Sequence, residues 1–142
     1  MTRIEFFFNV EDKLQKIAEL SDNAVNKGRR LLLFAADSTA ALTLEHFLWT
    51  NPAVGFLPNC RTQSPLAALT PVIVDWNGDQ LPHDDVLINL QTQYPPFFSR
   101  FRRLIEIVGT DEADKAQARD RYRFYRDRGY DIKSFDASGV SL

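Results

Sequence analysis

The chain has 142 residues, and its 17 Lys and Arg against 19 Asp and Glu give a formal net charge of −2. With 44% hydrophobic and 25% charged residues the composition is ordinary for a globular protein, which excludes disordered, collagen-like and strongly basic chains. The length predicts a single domain over residues 1–142. One cysteine, no visible signal peptide and no apolar run long enough for a membrane span predict a cytoplasmic protein without disulfides or membrane contact.

Strand-like and helix-like segments alternate along the chain. The strand-like segments are short runs that are continuously apolar or alternate in polarity, at residues 4–8, 30–36, 54–57, 71–76 and 85–90, with a further short run at 107–108. The helix-like segments have apolar residues three and four positions apart, at residues 11–28, 37–51, 95–105 and 111–128. This order predicts a three-layer α/β fold with a mainly parallel sheet flanked by helices.

The turns after the first two strands lack the features of a phosphate loop. Residues 9–12 and 37–39 contain no glycine and no lysine, whereas a phosphate cradle needs glycines for close backbone approach. We therefore expect a Rossmann-like fold without a phosphate loop, and a helicase-like or nucleotide-using domain is the alternative. Because His46, Cys60 and His83 have no metal-ligand spacing and no nucleophile–base pair is visible, we expect no cofactor, metal or catalysis.

Charge is concentrated near the C-terminal end, where residues 100–128 contain nine basic and six acidic side chains. Lys115, Arg119 and Arg123 are four residues apart and form one stripe of the predicted helix, beside Tyr122. Guanidinium groups next to an aromatic ring suit a carboxylate that is attached to an apolar side chain. A merely solvated helix face and direct binding of single-stranded nucleic acid are the alternatives.

A second unusual segment is residues 48–58, in which Trp49, Pro52, Phe56 and Pro58 occur close together at a predicted helix end. Clusters of aromatic residues and proline often mark surfaces that bind another protein, if they are exposed. The alternative is that Trp49 and Phe56 cover the edge of the core.

Together, these segments resemble the chi subunit family of bacterial DNA polymerase III. The resemblance extends along nearly the whole chain and is carried by residues 6–8, 27–32, 48–58, 85–90 and 118–126. Its most specific parts are the Leu-Trp block with its following Pro and Phe-Leu-Pro, and the Ala-Arg-Asp-Arg-Tyr-Arg-Phe-Tyr-Arg block.

The resemblance implies a non-catalytic accessory subunit of the replication machinery, with an α/β fold and no bound nucleotide. Such a subunit joins the clamp-loader complex through the psi subunit, and it contacts DNA only indirectly. It also binds the acidic C-terminal tail of single-stranded-DNA-binding protein, which ends in an apolar residue with a free carboxylate. The residues implied for the tail are Lys115, Arg119, Tyr122 and Arg123, and those implied for psi are Trp49, Pro52 and Phe56.

For the terminal apolar side chain of the tail, we expect a pocket near Tyr122. The sequence suggests Phe101 or Ile105 as residues that line it.

Overall fold

The structure is a computed structural model that describes residues 1–50, 59–60, 71–77 and 83–142, and of Trp49, Asn59 and Cys60 only the backbone. The strands in this part of the chain are β1 (Arg3–Phe7), β2 (Leu31–Phe34), β3 (Asn59–Cys60), β4 (Val72–Asp75), β5 (Val86–Asn89), β6 (Arg103–Ile107) and β7 (Ile132–Phe135). They form one sheet in the order β3-β4-β2-β5-β6-β1-β7, and every pairing is parallel. All seven strands therefore have their carboxyl ends at the same edge of the sheet.

Helices cover both faces of this sheet. The helical segments are α1 (Lys13–Asn26), α2 (Ser38–Thr50), α3 (Glu112–Asp127) and a short 3₁₀ turn at Phe98–Arg100. Buried residues of α1 and α2 belong to one hydrophobic cluster, and those of α3 and the 3₁₀ turn belong to the other. The three-layer α/β fold predicted from the sequence is thus confirmed.

Alternation along the strands divides the core between the two faces. In β1, Ile4 and Phe6 pack under α3, whereas Phe7 packs on the α1 and α2 side. In β2, all four residues are buried, and Leu31 and Leu33 face α1 and α2. A strand in the middle of a parallel sheet is covered on both faces, which explains why its sequence is continuously apolar.

Capping side chains and a glycine mark the boundaries of the first two helices. The Asp12 side chain accepts a hydrogen bond from the Gln15 N–H at the start of α1, and Asp37 does the same for Ala40 at the start of α2. Gly28, just after α1, has a positive φ of 75°, a conformation that side-chain-bearing residues adopt at a cost.

The helix predicted over residues 95–105 is wrong. Only Phe98–Arg100 form a 3₁₀ turn, and the chain then enters β6, which lies between β5 and β1. Leu104 and Ile105 are fully buried on opposite faces of the sheet. Because a strand that is covered on both faces is apolar at consecutive positions, the spacing of its apolar residues also fits a helix.

The sequence also gave no sign of β7, which pairs with β1 at the edge of the sheet. This strand is half-buried and contains Lys133 and Ser134, so it lacks the apolar run of the inner strands. The strand predicted at residues 54–57 lies outside the described residues. Within the described residues, no helix is both long enough and apolar enough to cross a membrane.

Candidate protein-binding site on the last helix

The helix α3 is fixed at both ends by its own sequence. The Asp111 side chain accepts a hydrogen bond from the Asp114 N–H at 3.3 Å and caps the first turn. The Asp114 carboxylate in turn accepts a hydrogen bond from the Gly109 N–H at 2.7 Å and pairs with Lys13 of α1 at 2.6 Å. Gly129, with a φ of 82°, ends the helix. These contacts hold α3 against the sheet in one orientation.

Three basic residues form a stripe along the solvent side of α3, which we call the cationic stripe: Lys115, Arg119 and Arg123. Arg119 and Arg123 are exposed, and Lys115 is half-buried. Their spacing of four residues places the three side chains on one face, as the sequence predicted.

An aromatic floor lies next to the cationic stripe. The Tyr122 ring is half-buried and packs against the Phe6 ring of β1, with 5.3 Å between the ring centroids. Phe8 stacks on Phe6 with 5.7 Å between the ring centroids and is also half-buried. Ile132 and Ser134 of β7 pair with Ile4 and Phe6, so they share the α3 face of the sheet.

Two acidic residues of α3 partly neutralise the stripe. Glu112 lies 3.7 Å from the Lys115 ammonium group, and Asp120 accepts a hydrogen bond from Arg123 at 2.7 Å. Both contacts are solvent-exposed and therefore weak. Arg119 has no ion-pair partner among the described residues, so its guanidinium group is available to an added anion.

On the inward side of α3, a buried polar network joins the helix to the carboxyl ends of β5 and β6. Glu106 is fully buried and accepts hydrogen bonds from Arg121 Nε at 3.0 Å, Tyr125 OH at 2.6 Å and Asn89 Nδ2 at 3.1 Å. Arg121 also donates to the Thr92 carbonyl at 2.8 Å. Three elements, β5, β6 and α3, are thereby joined at the Glu106 carboxylate, and Arg121 links them to the segment after β5.

Burial sets the proton affinities in this network. Desolvation raises the pKa of Glu106 above its ordinary value of 4.5, although Arg121 and the hydrogen-bond donors oppose the rise. Burial and the neighbouring Glu106 carboxyl group also raise the pKa of Tyr125, which therefore keeps its proton and donates a hydrogen bond to Glu106. The network orients α3 on the sheet, and it is closed to solvent.

In residues 1–50, 59–60, 71–77 and 83–142 there is no group of three His, Cys, Asp or Glu side chains that could hold a metal ion. What the described residues do offer is the cationic stripe beside an aromatic floor. This arrangement suits an anionic group carried on an apolar side chain.

Comparison with known proteins identifies the family of the chain. The family described as DNA polymerase III chi subunit, HolC, matches residues 1–133. A DNA polymerase III subunit chi from Pseudomonas aeruginosa is 31% identical over 137 residues, which cover 94% of this chain and 95% of the relative. The chain belongs to the DNA polymerase III chi subunit family.

Two further chi subunits are similar over most of their length. The one from Haemophilus influenzae is 28% identical over 135 residues, which cover 92% of this chain and 94% of the relative. The one from Escherichia coli is 29% identical over 122 residues, which cover 84% and 82%. The resemblance inferred from the sequence is therefore confirmed at the level of the chi family.

The candidate residues of this chi-family chain have different outcomes. Lys115, Arg119, Tyr122 and Arg123 lie together on α3, whereas Pro52 and Phe56 lie outside the described residues. The backbone of Trp49 belongs to the last turn of α2, and its side chain is not described.

The expected lining of the pocket near Tyr122 needs correction. Ile105 is fully buried in the cluster under α1 and α2, on the opposite face of the sheet from Tyr122, so it cannot line that pocket. Phe101 is on the α3 face, but it is only 2% exposed and therefore offers almost no surface to a ligand. Phe8 and Ile132 are half-buried in the same cluster as Tyr122 and are the better candidates.

Sequence reasoning missed the buried network entirely. A signal was present, because Glu106 is an acid within the apolar run of residues 104–108, and Asn89 ends the apolar strand β5. An acid in such a run predicts a buried partner, but the sequence does not say which basic residue supplies it. The structure identifies Arg121, which in the sequence is one of nine basic residues between positions 100 and 128.

Proposed function

We propose that this chain is a non-catalytic accessory subunit that works in DNA replication. It joins the clamp-loader complex through psi and binds the acidic C-terminal tail of single-stranded-DNA-binding protein, and its contact with DNA through that protein is indirect. Membership of the chi family supports the role in the polymerase.

The observation that carries the tail assignment is the exposed Arg119 beside the half-buried Tyr122. Among the described residues Arg119 has no carboxylate partner, so its fork of N–H donors is free to bind the terminal carboxylate of a peptide. A charge-assisted hydrogen bond of this kind contributes about 1.5–3 kcal/mol. Tyr122, Phe8 and Ile132 then offer apolar surface to the terminal side chain.

The other two cations of the stripe have a looser role. Lys115 and Arg123 each have an acidic neighbour on α3, in contacts that water screens. They attract the acidic residues upstream in the tail and so increase the association rate and the salt sensitivity of binding. A peptide held by one strong contact and several weak ones binds in the micromolar range, at roughly −8 kcal/mol.

The psi assignment has a different basis. Trp49, Pro52 and Phe56 belong to the block whose sequence resembles the family, and Trp49 is at the end of α2, on the face of the sheet opposite α3. Placing psi there leaves the cationic stripe accessible, so that one chain can bind both partners at the same time.

The tail assignment is tested by titrating the full chain with a labelled acidic peptide that ends in Pro-Phe. We expect Arg119→Ala to weaken binding at least tenfold, since about 1.4 kcal/mol corresponds to a factor of ten. Amidation of the peptide's C-terminus removes the carboxylate charge and is expected to weaken binding to the wild-type chain by a similar factor.

Arg100→Ala is the matched control, because Arg100 is an exposed arginine that lies in the 3₁₀ turn and does not belong to the cationic stripe. The control is expected to bind the peptide as the wild type does. Equal titration curves for Arg119→Ala and the wild type would disprove the assigned site.

A further inference from the structure

A concave pocket of about 570 Å³ lies at the amino edge of the sheet, where α1 ends and β1, β5 and β6 begin. Its charged lining consists of Arg3, Lys27, Arg29, Arg102, Arg103 and a single acid, Asp85. A chain with a net charge of −2 thus concentrates five cations and one carboxylate at one concavity. We call this the amino-edge pocket.

Three separate segments supply these cations. Arg3 and Arg103 are the first residues of β1 and β6 and are paired in the register of the sheet, so they lie side by side on the α1 face. Lys27 follows the last turn of α1, and Arg102 precedes β6. The cations therefore converge through the topology of the sheet and are not a run along one element.

Part of this charge is already neutralised inside the fold. Arg103 donates from Nε to Glu5 at 2.8 Å, and Arg29 lies 3.8 Å from Asp85. Arg3, Lys27 and Arg102 are exposed and have no ion-pair partner within the described ranges. Three positive charges therefore face solvent at the pocket without an ion-pair partner among the described residues.

We propose that the amino-edge pocket binds the phosphate backbone of single-stranded nucleic acid. Exposed Arg and Lys side chains make charge-assisted hydrogen bonds to phosphate oxygens, and separated cations match the repeating charge of a strand. Among the described residues no aromatic ring lines the pocket, so we expect binding without base stacking and without sequence preference.

The choice of nucleic acid over an acidic peptide rests on the proposed function, which places the chain beside protein-coated single-stranded DNA. The local chemistry agrees with it, because the cationic stripe has an aromatic floor for a side chain and the amino-edge pocket has none. The pocket is on the α1 face and the floor is on the α3 face, so the two ligands do not compete for one surface.

The test measures the anisotropy of a labelled oligothymidylate mixed with the full chain at low salt. For three phosphate contacts, we expect log affinity to fall with log salt with a slope of about −2. A triple variant with Arg3→Gln, Lys27→Gln and Arg102→Gln is expected to lose at least tenfold in affinity and most of the salt slope.

The matched control removes the same charge elsewhere, with Arg126→Gln, Arg128→Gln and Lys133→Gln, all at exposed positions. It is expected to keep the wild-type affinity within about twofold, since the three contacts remain. Equal losses in the two triple variants would show an effect of net charge alone and would overturn the proposal. So would a wild-type chain that does not bind the oligonucleotide at low salt.

Competition by unlabelled ligands against the labelled oligothymidylate shows which class of ligand the amino-edge pocket binds. A matched duplex that competes as well as the single strand, or a polyglutamate peptide that competes better, would overturn the assignment to single strands. Tail-peptide binding by the amino-edge variant separates the two proposals, because we expect it to be unchanged. Loss of oligonucleotide binding with intact peptide binding would show that the amino-edge pocket and the cationic stripe bind their ligands independently. The failure of one proposal would then leave the other unaffected.

Discussion

The two sides of α3 use the same residue type for opposite purposes. On the inward side, Arg121 is 5% exposed and pairs with Glu106, which is fully buried. On the outward side, Arg119 is exposed and has no ion-pair partner among the described residues. Arg119 and Arg121 are therefore only two positions apart on α3, yet Arg121 stabilises the fold and Arg119 is available to a ligand.

The difference shows that the number of basic residues in a segment overestimates the number of positive charges that are available to a ligand. Residues 100–128 contain nine basic side chains, but Arg121 and Arg103 are paired within the fold and Arg128 lies over the Phe124 ring at 3.7 Å. What identifies a site is the subset of charges that remains exposed and unpaired after folding. The following predictions test that distinction through the pairs of α3, from the most buried to the most exposed.

Removing Arg121 has the largest expected effect. Arg121→Met leaves the Glu106 carboxyl group buried without its cation, which is expected to lower the free energy of unfolding by about 3–5 kcal/mol. Urea unfolding of the full chain measures this loss. The double variant Arg121→Met with Glu106→Gln is expected to recover most of it, because the neutral amide oxygen still accepts from Tyr125 and Asn89.

Arg123→Met is the matched control for that experiment, since its partner Asp120 is 76% exposed and the pair is screened by water. Its free energy of unfolding is expected to remain close to that of the wild type. A loss in Arg121→Met no larger than in Arg123→Met would contradict the division of α3 into a structural and an available side.

Sequence patterns predicted the outward side of α3 better than the inward side. The helix, its first-turn acids and the spacing of Lys115, Arg119 and Arg123 depend on neighbours within a few residues, which the sequence displays directly. The Glu106 network depends on residues 15 to 19 positions away that meet only after β5, β6 and α3 are packed.

The same limit explains the wrong helix over residues 95–105. Phe98, Phe101 and Leu104 are spaced three residues apart, which fits a helix. In the structure Phe98 lies in the 3₁₀ turn, Phe101 in the connection that follows and Leu104 in β6. Whether an apolar run becomes a buried strand depends on the strands that flank it, and β1 comes from the opposite end of the chain. At the edge, β7 needs only one neighbour, so its sequence can be partly polar.

Asp114 provides an intermediate case, because it is partly exposed and still makes strong contacts. Although partial burial opposes ionisation, hydrogen bonds from Lys13 and from the Gly109 N–H lower the pKa of Asp114 below its ordinary value of 3.8. A lowered pKa in the folded chain adds stability above pH 3.8, and this stability is lost as the pH falls through the folded pKa.

We therefore expect Asp114→Asn to reduce the free energy of unfolding at neutral pH by no more than about 1 kcal/mol, as befits a pair that water partly screens. Urea unfolding at several pH values provides the measurement. The difference between variant and wild type is expected to shrink as the pH falls below 3.8. A difference that is constant with pH would mean that the charge of Asp114 contributes nothing.

The smallest expected effect is at the most exposed pair and is seen in binding, not in stability. Asp120 holds Arg123 through a 2.7 Å contact in which both side chains are more than half exposed. Asp120→Asn removes the competing carboxylate, so Arg123 becomes more available to the acidic tail peptide. Since exposed pairs contribute about 0.2–1 kcal/mol, we expect about twofold tighter peptide binding with unchanged urea unfolding.

The control for this last experiment is Asp127→Asn, which removes the same charge from the last residue of α3, about two turns beyond Asp120, where the partner is Arg126. Its effect on peptide affinity is expected to be smaller, because Arg126 is not one of the stripe residues. Equal gains for the two variants would mean that the peptide responds to the net charge of α3. A gain confined to Asp120→Asn would place the acidic residues of the peptide beside Arg123, on the solvent-exposed side of α3.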